Sequence, residues 1–270
     1  MDRDPRLARG ALYLLAFTVL CVAGAFLLPA MPQPIDYHHF ADQRAWLGIE
    51  NFLDVASNVG FLLVGALGLA VTFRRRTCFE LDRERAPYSV FFAGMLLTAL
   101  GSSYYHLAPD NDRLFWDRLP MTIAFMSLIA AQVVERISIR MGLALLLPML
   151  LVGAASVLHW RATERAGAGN VVPYAILQGY SVVALLLIAW LQPSRYTRGG
   201  DLYWVFAWYV VAKLLELLDR PMWAVEKVVS GHTLKHLAAA VAGLVVCRML
   251  MLRELRAPRT VGPSRARALA

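Results

Sequence analysis

Apolar stretches long enough to cross a bilayer alternate with short charged loops along almost the whole chain, and this alternation constrains the fold more than any other feature. The stretches lie near 11–29, 52–73, 88–106, 119–135, 141–158, 171–191, 202–219 and 232–252. Each has about 17–22 residues, enough to cross ~30 Å of hydrocarbon as a helix. No barrel-type alternation is present, and in lipid each segment has to satisfy its own backbone, so helices are the expected structure. Hydrophobic residues make up 59% of the chain, against roughly 45–50% in an average soluble protein, which argues against a soluble enzyme. The expected fold is an all-α polytopic membrane protein with eight spans.

Basic residues orient the bundle. With a cytoplasmic N-terminus, seventeen Lys and Arg fall in inner segments, among them Arg3, Arg74, Arg75, Arg76, Arg195 and Arg198. Seven fall in outer segments: Arg44, Arg113, Arg118, Arg161, Arg165, Arg220 and Lys227. This bias places both termini in the cytoplasm. It also accounts for the net charge of +8, which is spread over loops and a tail rather than gathered into a nucleic-acid-binding face. Cys21 and Cys247 lie in apolar stretches and Cys78 follows a basic run, so neither a disulfide framework nor a cysteine metal site is expected. Three regions result: an N-terminal segment and first span (1–30), a seven-span domain (31–252) and a basic tail (253–270), disordered from Pro258. The first span reads as an uncleaved anchor, being longer than a signal-peptide core, although cleavage would leave the other orientations unchanged.

Ionisable groups in spans are expensive, so their positions carry the functional information. Of six histidines, His106, His232 and His236 all fall at the outer ends of spans. His232 and His236, four apart, share a helix face and can chelate one metal. With His106 they form three neutral nitrogen ligands with one position open, the composition of a catalytic zinc site. The residues between the pair are Thr-Leu-Lys, so the base must come from elsewhere. Asp117, eleven residues after His106 and at the same depth, is the candidate. Ser102, one turn below His106 on the same face, could stabilise an oxyanion or simply let two helices approach. Lys213, Glu216 and Asp219, at i, i+3 and i+6, share a face. There Glu216 or Asp219 could pair with Lys235 or orient a histidine, or all could form an internal ion-pair network. Asp54, Ser57 and Asn58 form a further outer cluster, available for orienting a ligand or for helix packing. His38 and His39 read as solvated loop residues, and His159 and many of the seven tryptophans as an interfacial belt.

NFLDVASN at 51–58, Ser102-x3-His106 followed by DRLPM at 117–121, and His232-x3-His236 together resemble the alkaline ceramidase family and its wider superfamily, which includes adiponectin-receptor-like proteins. The pieces occur in the family's order and bracket residues 36–252. The resemblance implies a seven-helix bundle, making the first span an addition, with zinc held by His106, His232 and His236. Ser102 and Asp117 would act on the attacking water. It also implies a lipid amide substrate, ceramide or a related N-acyl lipid. The charge bias puts the site toward the outer side, in what is expected to be a bacterial inner membrane. The acidic calcium-binding segment of eukaryotic ceramidases is poorly matched by Asp36, Asp42 and Glu50, so calcium is not expected. Nothing implies a protein partner.

Three other readings compete with a zinc amidase. A zinc-containing receptor or scaffold would share the metal but not the turnover. A proton-relaying transporter would use Lys213, Glu216, Asp219 and Lys235, yet paired Gly/Pro-broken helices are not evident. A haem protein would need histidines facing each other through the bilayer, whereas these sit at one end.

Overall fold

The computed structural model describes residues 5–75 and 78–256; Arg3, Arg76 and the tail from 257 lie outside the described residues. Every regular element among the described residues is helical: α1 Pro5–Leu27, α2 Phe52–Ala56, α3 Val59–Arg74, α4 Arg85–Leu107, α5 Asn111–Arg136, α6 Ile139–Arg165, α7 Val172–Leu191, α8 Asp201–Leu217, α9 Asp219–Glu226 and α10 Gly231–Leu252. Seven helical segments are long and apolar enough to cross a membrane, α2 and α3 together counting as one. This fits an integral multi-pass membrane protein. The predicted span at 202–219 forms the shorter α8, of 17 residues.

Large apolar side chains point outward around the bundle, as they do where lipid replaces water: Leu63, Leu147, Trp190 and Trp204 are all more than 60% exposed. The inside is packed by Phe91, Phe92, Met95, Leu128 and Val246. Helix α1 lies to one side, against α7, where Phe17 stacks on Tyr180 at 5.6 Å and Thr18 shares a hydrogen bond with the Tyr180 hydroxyl. The second predicted span is broken between α2 and α3 at Ser57-Asn58, where the Ser57 hydroxyl bonds back to the Asp54 carbonyl.

At the end opposite the three histidines, Glu135 is buried and accepts from Tyr88, Ser194 and Arg253. Arg253, placed by sequence in a tail, is therefore part of the folded domain. Residues 254–256 continue along 195–197 through the Thr197 N–H to Glu254 O and Arg256 N–H to Arg195 O bonds. A buried ion pair with several satisfied hydrogen bonds holds the chain end where an isolated arginine would not stay.

Candidate metal centre

Two close backbone contacts position the helices around the site, one between α4 and α5 and one at the start of α10. Pro120 has no N–H, so the Trp116 carbonyl lacks its usual intrahelical donor. That carbonyl faces Gly101 on α4, where any Cβ would lie 1.9 Å from it. Only glycine lets α4 and α5 meet here, and the neighbouring residues Ser102 and Asp117 face one cavity from the two sides of the contact. At the other contact, Gly231 starts α10 against the α8–α9 junction, where a Cβ would lie 2.2 Å from the Leu215 carbonyl.

His106, His232 and His236 are buried with their rings mutually adjacent, the centroids 4.9, 4.9 and 5.0 Å apart. One ring nitrogen from each falls within a mutual distance of 4.8 Å. Phe40 covers the cluster, its ring 4.6 Å from that of His106 and 4.4 Å from that of His232. Nδ1 of His106 and Nε2 of His232 are buried without a hydrogen-bond partner. His236 Nδ1 bonds to Ser57 Oγ at 2.8 Å, which leaves Nε2 for a ligand. Three converging imidazoles, two of which carry a buried nitrogen without a partner, fit a bound metal ion.

The NFLDVASN segment braces this cluster. Asn51, in a left-handed conformation at φ +48° that asparagine tolerates, donates to the His106 carbonyl at 2.9 Å. Asp54, fully buried, accepts from Thr233, between the two α10 ligands, at 2.6 Å. Ser57, rather than Asp54 or Asn58, touches an imidazole. Its hydroxyl proton is directed to the Asp54 carbonyl, so its oxygen accepts from His236 Nδ1–H and sets the tautomer. The amide of Asn58 donates to the backbone of Asp54 instead. Ser57→Ala should weaken metal affinity about 10–100-fold, the usual cost of losing such a partner; chelator competition reads this directly.

The expected shared face of Lys213, Glu216 and Asp219 is not realised, because α8 ends at Leu217 and Asp219 opens α9. Glu216 takes both lysines, Lys213 beside it and Lys235 at 2.8 Å. Asp219 turns to backbone, accepting from His232 N–H at 2.8 Å and Ala41 N–H at 3.0 Å. It thereby ties the first turn of α10 to the loop that carries Phe40.

That loop is packed down. His38, expected in solvent, bonds Tyr105 at 2.9 Å and Asn111 at 3.0 Å, and partial burial lowers its pKa. His39 and Asp36 remain exposed, as does Glu50. Asp42 is held by two Arg44 nitrogens, each at 2.8 Å. Trp160 is fully buried rather than in a belt, whereas His159 is exposed.

Ser102, Asp117 and His236 open on a cavity of about 390 Å³ between the helices. Its depth is lined by apolar side chains including Phe61, Phe91, Met95, Leu128, Leu185 and Phe206. Along α5 it runs from Asp117 to Leu128, a rise of about 16 Å. Charged residues Arg118, Lys213, Glu216 and Lys235 also line it. Arg118, counted by sequence among outer-loop charges, is 5% exposed and lies within α5. No protein-family model and no curated protein matches this chain.

Proposed function

We propose that the protein is an intramembrane zinc-dependent hydrolase of lipid amides, acting on ceramide or a related N-acyl lipid, in keeping with the alkaline ceramidase resemblance. The observation that carries this reading is the convergence of three buried imidazoles, one of them with Ser102 and Asp117 on the lining of a long apolar cavity. Zinc in such a site supplies Lewis acidity, polarising an amide carbonyl and lowering the pKa of water toward about 7.

The chain's own residues account for the rest. The apolar cavity receives the acyl chain and excludes water from it. Asp117 accepts a proton from the attacking water and returns it to the amide nitrogen as the C–N bond breaks, so that one water is consumed and a carboxylic acid and an amine are released. Ser102 holds the carbonyl oxygen as it becomes negative. Phe40 closes the outer end over the ligands.

In this reading α8 is the eighth span, α1 an addition to a seven-helix domain, and the site faces the outer side of a bacterial inner membrane. Reporter fusions after Arg75 and Arg198 should report cytoplasm, and fusions near Asp110 and Lys227 the outside; the reverse pattern would overturn the orientation. Metal analysis of purified protein, with hydrolysis of a panel of N-acyl lipids, tests the activity. Zinc without turnover of any lipid amide would leave a zinc-containing receptor or scaffold as the better reading.

A further inference from the structure

Arg118 follows Asp117 on α5 and lines the same cavity, but no step of amide hydrolysis uses it. Its guanidinium carbon lies 4.4 Å from the centre of the Trp160 ring, 4.7 Å from Tyr174 and 5.4 Å from Tyr37. Nη2 donates to Gln33 Oε1 at 2.6 Å. Nη1 is buried and meets no acceptor among the described residues. The adjacent carboxylate, Asp117, lies within electrostatic reach of Arg118 but is not the partner of either Nη atom, Nη2 going to Gln33 and Nη1 to none among the described residues.

Aromatic faces and one amide oxygen stabilise a cation without neutralising it. A buried charge with an unmet donor is costly, most of all in a membrane domain, unless an anion meets it. The rings also fix the guanidinium plane in advance, as oxyanion recognition requires. The remaining charges of the cavity do not compensate. Lys213 and Lys235 share the single carboxylate of Glu216, so the lining holds three basic residues against two acidic ones.

We propose that Arg118 binds an anionic oxygen group, a carboxylate or a phosphate, on the amine-side portion of the lipid that fills this cavity. Within the N-acyl lipids proposed above, the preferred substrates are then the acidic members, such as an N-acyl amino acid, over neutral ones such as ceramide. The identification as substrate rests on the amidase reading above; the anion site itself does not.

The test uses purified full-length protein, zinc-loaded and in detergent, with binding measured by calorimetry and hydrolysis followed separately. The probes are N-dodecanoylglycine, the phosphate ester of N-dodecanoylethanolamine, neutral N-dodecanoylethanolamine and dodecanoate. At least one acidic amide should bind about 10–100-fold tighter than the neutral amide, the range of one charged hydrogen bond. Arg118→Gln should abolish that preference with zinc retained, and Arg118→Lys should keep part of it. The arm that shows the Arg118-dependent gain identifies carboxylate or phosphate as the source. Equal binding of acidic and neutral amides by the wild-type protein overturns the proposal without reliance on any variant. So does an equal Arg118-dependent gain for dodecanoate, which would place the arginine on the acyl half. Acidic preference without hydrolysis of any amide would sink the amidase reading and leave the anion site standing. Hydrolysis without acidic preference would do the opposite.

Discussion

Asp117→Asn is expected to leave zinc occupancy close to wild type while amide turnover falls about 10²–10⁴-fold, the usual consequence of losing a general base. Three histidines could already supply the protein ligands of an open site, and Asp117 is not among the groups that converge there, so nothing requires Asp117 at the metal. Asparagine is nearly isosteric, so the α4–α5 contact at Gly101 should survive and the fold with it. The measurement pairs metal analysis of the purified variant with its rate on the best N-acyl lipid of the panel. Loss of metal would redraw Asp117 as a ligand, and a wild-type rate would remove it from catalysis.

The second large effect is expected at the ligands. His236→Ala or His232→Ala should lose most bound metal and with it all measurable hydrolysis, because each breaks the i,i+4 chelate on α10. His159→Ala is the control: that side chain is exposed and is not one of the three converging histidines, so it should keep metal and rate. Equal metal in all three variants would show that the histidine cluster is a packing feature. The contrast with Ser57→Ala is informative, since a lost hydrogen bond to His236 should shift affinity without abolishing binding.

Much of this architecture was legible in sequence because a bilayer makes two simple demands: spans must be apolar for about 20 residues, and ionisable groups within them must have a reason to be there. Those demands alone point to a helical membrane protein and single out His106, His232 and His236 at one end of it. The i,i+4 spacing then predicts a shared face for two of them. What spacing could not reveal was how separate helices divide their polar partners. Lys213, Glu216 and Asp219 lie at helical intervals, but a helix break at Leu218 sends Asp219 to the α10 backbone and leaves Glu216 between two lysines. Ser57, Asp54 and Asn58 lie within five positions of one another, yet only Ser57 reaches an imidazole, because the kink between α2 and α3 turns its hydroxyl there. Arg118 read as one more outer charge because a count of basic residues is blind to burial, and its surroundings come from α6, α7 and the first loop. Local hydrophobicity and periodicity therefore determined which segments are long and apolar enough to cross a membrane and which residue types meet at one end of the bundle. Tertiary packing, through close glycine contacts and a helix break that no single segment encodes, decided which side chain bonds to which.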